Sequence, residues 1–446
     1  MKDSADKKIS EKEKLEEKQN HGKKNRKVLS IILSIVLFVV AFFAGFLTNN
    51  LFLSENARFA KEVVSLMDRV GYIYDEESGS FREITKEDIG DALVNGVLDQ
   101  YSAYYTVDEY EQVNQTSKGN YAGIGVAFYG NDSLVIDLVM FNSPLDRAGV
   151  KRGDRLISAT ENGKEEVVFS SVNHALITFQ NIEENKDFKI KYSRDGVENE
   201  VVIKKEKYVR SYVYYLDNEK EFSFRSLNNT KPVGTEKDIE NSIITDNSVG
   251  YICFDNFSGN AFNEMKEALE YMKARGKTKL ILDLRDNGGG YMNVLTDIAS
   301  LFIYNGGAKK SLVAVSQGKK STENYYTTKN NFQNFIQDLV ILGNENTASA
   351  SECLIGAIVH YNDTNTDISK VVVEQSANGE YKTYGKGIMQ TTYKLIGGDA
   401  FKLTTAKITW PDRETCIHNK GINQSMGCSV AERGKGIEKA LEMFND

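Results

Sequence analysis

Two short stretches of this sequence carry residue types that could perform acyl transfer. Segment 347–352, with the sequence TASASE, places Ser349 among small neighbours at the start of an apolar helical stretch. Segment 384–387, with the sequence YGKG, places Lys386 between two glycines, and Gln390 follows four residues later. Burial lowers the pKa of a lysine because it penalises the ammonium, so a buried amine can act as a base near neutral pH. The two stretches together predict a serine nucleophile activated by a lysine.

Each stretch also has a purely structural explanation. A serine at the start of a helix is a common N-cap, and Ser351 with Glu352 could fill that role. The same helix end favours developing negative charge, as a nucleophile requires. Lys386 could be a flexible surface residue, but flanking glycines also allow close approach of the backbone. If the segment is a strand, the even spacing puts Gln390 on the same face as Lys386, where it could orient the amine.

A third stretch of interest is the glycine-rich turn DNGGG at 286–290, which follows the predicted buried strand 279–285. Backbone N–H groups of such a turn, together with the N–H of Ala350, could form an oxyanion hole. The alternatives are a simple turn before a helix or a phosphate-binding loop. Neither GxxxxGK[ST] nor GxGxxG is present, which disfavours nucleotide binding.

The N-terminus predicts a membrane anchor. Residues 28–48 form an uncharged apolar run, long enough as a helix to cross about 30 Å of hydrocarbon. Four basic residues lie between 23 and 27, and none follows until Arg58, so we expect residues 1–27 in the cytoplasm and the rest outside the cell membrane. A cleaved signal peptide is the alternative.

Composition limits cofactors and partners. The chain has 446 residues and a net charge of −8, which disfavours nucleic acid as a partner. Its four histidines and four cysteines form no CxxC or HExxH pattern, so we expect no metal and no cofactor. Cys416 and Cys428 lie in a polar segment expected outside the membrane, where a disulfide is permitted but not required.

The pattern along the chain predicts a multidomain α+β protein. Residues 55–116 show helical spacing of apolar residues, residues 117–206 are rich in strands, and residues 207–446 alternate between helix and strand. Within the last region the sequence predicts strands at 249–254 and 279–285 and helices at 261–275 and 292–302. The polar stretch 209–246 is predicted to be a linker with an irregular insertion.

The strand-rich region resembles a PDZ domain. The resemblance rests on GIGV at 123–126, SP at 143–144, AGV at 148–150 and GDRLI at 153–157, with one short helix near 145–148. It implies that Gly123, Ile124, Gly125 and Val126 form a loop whose N–H groups bind the terminal carboxylate of a peptide. The bound peptide would add as a strand to the sheet edge. Taken alone, the Gly-x-Gly pattern would indicate only a tight turn.

From about residue 60 to about residue 440 the chain resembles the carboxyl-terminal processing proteases. The resemblance is carried by GVLDQYSAYY at 96–105, the PDZ-like motifs, the stretch 280–290, TASASE, the segment 384–390 and KGI at 420–422. It implies a crotonase-like α/β core, with Ser349 as nucleophile, Lys386 as base and Gln390 as orienting residue. Gly289 and Ala350 would supply oxyanion N–H groups. Substrates would be extracytoplasmic proteins bound by their C-termini, and a homo-oligomer is possible within this resemblance.

The sequence departs from this family at several points. Gln100 and Gly288 stand where the family usually has proline, and the separation of Ser349 and Lys386 is longer than expected.

Two other functions compete with that of a processing protease. Ser316 and Lys319 fit an SxxK pattern, but the SDN and KTG motifs of penicillin-recognising enzymes are absent. The second alternative is a catalytically inactive, membrane-anchored PDZ scaffold.

Overall fold

The structure is a computed structural model that describes residues 32–40, 54–75, 80–118, 120–128, 133–140, 143–151, 153–218, 223–226, 229–234, 244–304, 306, 309–328, 331–365 and 369–445. The chain divides into two compact units, residues 1–92 and 93–446. In the first unit, 32–40 is helical, helix α1 spans Glu55–Val70, and strands β1 (Tyr72–Asp75) and β2 (Ser80–Glu83) form a hairpin.

The predicted membrane span, residues 28–48, lies outside the described residues except for 32–40. Within the ranges given above, no helix is both long and apolar enough to cross a bilayer.

The prediction that residues 55–116 are helical is only partly correct. Helix α1 and two further helices, α2 (Lys86–Val97) and α3 (Val107–Ser117), are present as expected. The β1–β2 hairpin and a further strand, β3 (Ala103–Tyr105), interrupt them. β3 was missed because a three-residue strand leaves almost no periodicity, and its pairing partner lies about 300 residues further along the chain.

The described residues of the β-rich region form eight strands and two helices. Strands β7, β8, β9 and β10 form one sheet, while β4 pairs with β11 and β5 pairs with β6. The bounds are β4 Asn120–Gly123, β5 Val126–Phe128, β6 Ile136–Val139, α4 Pro144–Arg147, β7 Arg155–Glu161, β8 Val167–Val168, α5 Val172–Asn181, β9 Asp187–Arg194, β10 Val197–Lys204 and β11 Glu206–Val209.

Helix α4 confirms the short helix predicted near 145–148, and Ser143 caps it by accepting the N–H of Asp146. Helix α5 was not predicted. Its inner face contributes Val172, Ala175 and Phe179 to the core of this region. The helix was missed because it is only ten residues long and shows little more than two turns of apolar spacing.

The remaining chain builds an eight-stranded mixed sheet in the order β14-β13-β12-β15-β16-β19-β20-β23, in which β15 to β23 run parallel. Helices α6, α7 and α8 pack on one face and α9 on the other. The bounds are β12 Val213–Asn218, β13 Ser223–Ser226, β14 Asn229–Gly234, β15 Val249–Phe254, α6 Ala261–Ala274, β16 Lys279–Asp283, α7 Met292–Phe302, β19 Asp338–Gly343, α8 Ala350–Asn365, β20 Ser369–Glu374, β23 Ser429–Ala431 and α9 Gly436–Met443.

A second sheet has the order β18-β17-β22-β21, with β3 joined to β22. Its strands are β17 Leu312–Gly318, β18 Thr322–Tyr326, β21 Ile388–Lys394 and β22 Ala400–Thr409, and a 3₁₀ turn follows at Gln424–Met426.

The prediction of a linker at 209–246 is wrong where β12 lies. This strand pairs with β15 of the large sheet, and Tyr212, Val213 and Tyr215 are buried in the core. The strand could not be predicted because its polar neighbours resemble a linker. Part of its stabilisation comes from a helix that lies far along the chain. Buried Glu264 of α6 accepts the N–H groups of Tyr212 and Val213, at 2.6 and 3.1 Å.

Candidate active site

Ser349 lies immediately before α8, as the sequence predicted. Its backbone has φ of 58°, a left-handed conformation that costs a non-glycine residue about 1 kcal/mol or more. The preceding turn is fixed by Thr347, whose hydroxyl donates to the Leu284 carbonyl at 2.8 Å and accepts the N–H of Asn344 at 2.9 Å. The turn therefore holds a strained, half-buried serine at the positive end of a helix.

Glu352 links the two predicted catalytic segments. Its buried carboxylate accepts hydrogen bonds from the backbone N–H of Ser349 (2.8 Å), the N–H of Lys386 (2.9 Å), the N–H of Gly385 (2.8 Å) and the hydroxyl of Thr383 (2.6 Å). Burial raises the pKa of Glu352, and these hydrogen bonds oppose the rise. Since all four partners donate, the ionised carboxylate is the form that satisfies them.

Lys386 lies in a segment whose backbone passes very close to the backbone at His418 and Gly421. A Cβ on Gly385 would lie 2.7 Å from the backbone nitrogen of Gly421, and one on Gly387 would lie 2.7 Å from that of His418. This confirms the expectation that the flanking glycines allow close approach. Burial, followed by the nearby charge of Lys402, lowers the pKa of Lys386. The shift favours the neutral amine that a general base requires.

The side chains of the two predicted catalytic residues do not meet directly. Within the described part of the chain no hydrogen bond joins the Ser349 hydroxyl to the Lys386 amine, which instead lies 5.0 Å from the centre of the Tyr101 ring. Gln390 is on β21 and donates to the Thr404 hydroxyl at 3.0 Å. The roles of these side chains therefore stay predictions, although a single carboxylate oxygen binds the backbones of both segments.

The glycine-rich turn packs directly against the serine. Gly289 has φ of 100°, and a Cβ there would lie 2.8 Å from that of Ser349. Asn287 braces the turn, because its carbonyl accepts the N–H of Ala348 and its side-chain amide donates to Phe254. The Gly289 N–H donates to the Asn287 Oδ1 at 3.0 Å.

The N–H of Ala350, by contrast, has no acceptor among the described residues. Of the two predicted oxyanion donors, Ala350 is therefore available as it stands. Gly289 must first exchange its bond to Asn287.

A cleft of about 500 Å³ opens beside this turn. Arg210, Asn256, Ser258 and Tyr291 are among its lining residues. The cleft is tied to the turn because the N–H of Phe257 donates to the Gly289 carbonyl and the N–H of Tyr291 donates to the Phe257 carbonyl. The side of the cleft formed by Tyr291 is therefore fixed to the glycine-rich turn.

The predicted carboxylate-binding loop joins β4 to β5. Gly125 has φ of 82°, and a Cβ there would collide with Ser143. Its carbonyl accepts the N–H of Met140 at 2.9 Å. In the described ranges the N–H groups of Ile124 and Gly125 have no acceptor, although both residues are buried.

The cysteines and possible metal ligands add no further chemistry at the site. Cys416 and Cys428 are free thiols, as are Cys253 and Cys353. Burial raises the pKa of Cys353 to about 12 and that of Cys428 to about 11, which makes both poor nucleophiles. Among residues that the structure describes, no group of His, Cys, Asp and Glu side chains could hold a metal ion.

Sequence reasoning missed three residues at this site: Glu352, Thr383 and Tyr101. Glu352 was considered only as part of a helix cap, although it stands one turn after Ser349. Thr383 stands three residues before Lys386, and no local pattern marked it. Tyr101 lies 285 residues before Lys386, so only the tertiary structure could bring the two together.

The chain is similar to one family model and to several known proteins. Residues 248–426 match the model described as peptidase family S41. A "Probable CtpA-like serine protease" of Staphylococcus aureus (strain N315) is 30% identical over 335 residues, covering 74% of this chain and 58% of that protein. The protein of the same name from Staphylococcus epidermidis (strain ATCC 12228 / FDA PCI 1200) is 28% identical over 380 residues, covering 83% of this chain and 67% of that protein.

Among solved structures, the photosystem II D1 C-terminal processing protease aligns with 16% identity and a TM-score of 0.46, covering 79% of this chain and 83% of that one. Residues 248–426 thus match peptidase family S41, in agreement with the family resemblance predicted from the sequence. The chain spans 58% of the length of the Staphylococcus aureus relative, so the comparison concerns part of that protein.

Proposed function

We propose that this chain is a serine endopeptidase in which Ser349 is the nucleophile and Lys386 the general base. The observation that carries the proposal is the buried Glu352 carboxylate, which fixes the backbones of both residues through N–H bonds of 2.8 and 2.9 Å. The four hydrogen bonds of this buried carboxylate hold the two segments at a constant spacing.

In the proposed mechanism, the neutral Lys386 amine takes the proton of the Ser349 hydroxyl. The serine oxygen forms a bond to the scissile carbonyl carbon, and the N–H of Ala350 binds the developing oxyanion. Gly289 adds a second N–H once Asn287 releases it. The amine of Lys386, now protonated, gives its proton to the leaving amine, and water then hydrolyses the acyl-enzyme with Lys386 again as base. Gln390 would orient the amine during these steps.

The β-rich region supplies substrate selection in this proposal. We infer a PDZ-like role for the loop from Gly123 to Val126. In this role the N–H groups of Ile124 and Gly125 bind the terminal carboxylate of a substrate. Substrates are then proteins cut near their C-terminus. The proposal also places the chain in the cell membrane through residues 28–48, with the peptidase outside.

The test compares purified wild-type protein with Ser349→Ala and Lys386→Ala on a fluorogenic peptide. The wild type is expected to cleave it, and to cleave the same peptide with an amidated C-terminus more slowly. Both variants are expected to lose cleavage. Retained cleavage in either variant contradicts the dyad, and equal rates on free and amidated peptides contradict the PDZ-like role.

A wild type that binds the peptide without cutting it would favour the alternative of an inactive PDZ scaffold. One observation is consistent with that alternative: the Ser349 hydroxyl and the Lys386 amine are not hydrogen-bonded to each other in the described structure. Covalent labelling of Ser349 by a fluorophosphonate, in which the serine oxygen displaces fluoride from phosphorus, is located by mass spectrometry and distinguishes the two functions.

A further inference from the structure

Tyr101 comes from a part of the chain that lies far from the catalytic segments in sequence and outside the region matched by the family model. It follows α2 and precedes the β-rich region, whereas the match begins at residue 248. In the folded protein its ring lies 5.0 Å from the Lys386 amine. Its hydroxyl is also 3.3 Å from that of Tyr384, two residues before the lysine. Tyr101 thus contacts the lysine segment at two points.

The loop that carries Tyr101 is itself firmly held. Asp99 accepts the N–H of Tyr101 at 3.1 Å and the hydroxyl of buried Ser102 at 2.8 Å. The next strand, β3, pairs antiparallel with β22, and the Tyr104 and Phe401 rings pack at 5.1 Å. Since β22 also pairs with β21, which bears Gln390, the Tyr101 loop and the lysine segment are fixed to the same sheet.

We propose that Tyr101 is a positioning residue for Lys386: its ring seats the amine beside the Ser349 helix and keeps water from one side of it. The proposal rests on the function proposed above, in which Lys386 is the base. A ring face attracts the ammonium and also removes water from it. Of these two effects, removal of water decides the protonation of the amine, because burial is the largest influence on the pKa of Lys386.

Other charges also surround the amine and set the background for any pH measurement. The carboxylates of Asp99 and Glu352 favour the ammonium, and the charge of Lys402 disfavours it. The hydrogen bond with Tyr384, followed by burial, raises the pKa of the Tyr101 phenol, so this group stays neutral in the working range. A variant that changes only Tyr101 therefore leaves the three charged neighbours in place.

The experiment compares Tyr101→Ala with Tyr101→Phe in the full chain. Without the ring, water reaches the amine, so the acid limb of the pH profile of kcat/KM is expected to move up by about 0.5 to 1 pH unit. We expect kcat below that limb to fall about 3- to 10-fold, because a pKa higher by about 0.5 to 1 unit leaves a smaller fraction of Lys386 as the neutral amine, with KM unchanged. Tyr101→Phe keeps the ring and is expected to recover most of the loss and the wild-type acid limb.

Tyr110→Ala is the matched control. Its ring lies 5.7 Å from the Lys394 amine, so it removes the same kind of contact away from the site and should leave kcat/KM unchanged. If Tyr101→Ala unfolds, Tyr101→Gln replaces it, because glutamine fills similar length without a ring. An acid limb that coincides with the wild type, or a loss in Tyr101→Phe as large as in Tyr101→Ala, overturns the proposal.

A second readout does not depend on peptidase activity. The rate at which acetic anhydride acetylates Lys386 is measured against pH by mass spectrometry, in Ser349→Ala protein with and without Tyr101→Ala. Loss of the ring is expected to move the midpoint of this curve to higher pH, and an unmoved midpoint overturns the inference. A wild type that cleaves no peptide contradicts the proposed function, while the acetylation curves still decide whether Tyr101 controls the lysine.

Discussion

Glu352→Gln is the substitution that tests the site most directly. The carboxylate is fully buried and accepts four hydrogen bonds, two on each oxygen. A glutamine side chain has nearly the same shape, but one of its two terminal groups is an NH₂ donor. Whichever way the amide is oriented, two of the four donors lose their acceptor and face another donor. The substitution therefore changes hydrogen bonding with little change in packing.

The expected loss follows from the number of unsatisfied groups. A buried donor without an acceptor costs about 1–3 kcal/mol, so two of them should lower the free energy of unfolding by about 2–6 kcal/mol. If the amide faces Ser349 and Lys386, both backbones move apart, and a shift of about 1 Å in a catalytic group costs on the order of 100-fold in rate. We therefore expect a large loss in kcat/KM as well as in stability.

The assays are urea unfolding followed by circular dichroism and peptidase kinetics at temperatures where the variant is folded. Glu438→Gln is the control, because Glu438 forms only a surface pair with Lys435 at 2.8 Å and should change stability by less than about 0.5 kcal/mol. A Glu352→Gln protein as stable and active as the control would refute the reasoning that this carboxylate fixes the site.

Three further predictions concern the surroundings of the site. Lys402→Met removes a charge that lowers the pKa of Lys386, so the acid limb of kcat/KM should move to higher pH, and a move to lower pH would contradict this. Gly289→Ala places a Cβ 2.8 Å from the Ser349 Cβ and should abolish most peptidase activity, whereas Gly276→Ala, also at positive φ but in open space, should cost only stability in a melting experiment. Arg285→Met leaves two buried carboxylates without their counterion and should lower the free energy of unfolding by about 3–5 kcal/mol, and a loss below about 1 kcal/mol in urea would show that the ion pairs are not needed.

Much of the core could be predicted because its signals are local. Helix α7 occupies Met292–Phe302, the predicted residues, since its apolar spacing is uninterrupted over three turns. Strand β15 also lies where its buried apolar run predicted it. Strand β12 could not be predicted in this way, because its polar flanks resemble a linker and its partners β15 and Glu264 lie far along the chain.

The residues of the candidate site also fall into those with a local sequence signal and those without one. Ser349, Lys386 and the glycine turn were found from residue type and neighbours alone. The position of Gln390 against Thr404 and the bond from Gly289 to Asn287 were not, because each depends on which donor competes for which acceptor in three dimensions.

The sequence by itself determined which groups could react: a serine between small residues, a lysine between glycines, and a glycine-rich turn. These are properties of short segments, so they survive in the one-dimensional pattern. Only the tertiary structure decided what holds the groups in place. In the sequence, Glu352 lies 34 residues before Lys386 and Tyr101 lies 285 residues before it. No local pattern records a hydrogen bond or ring contact over such a separation.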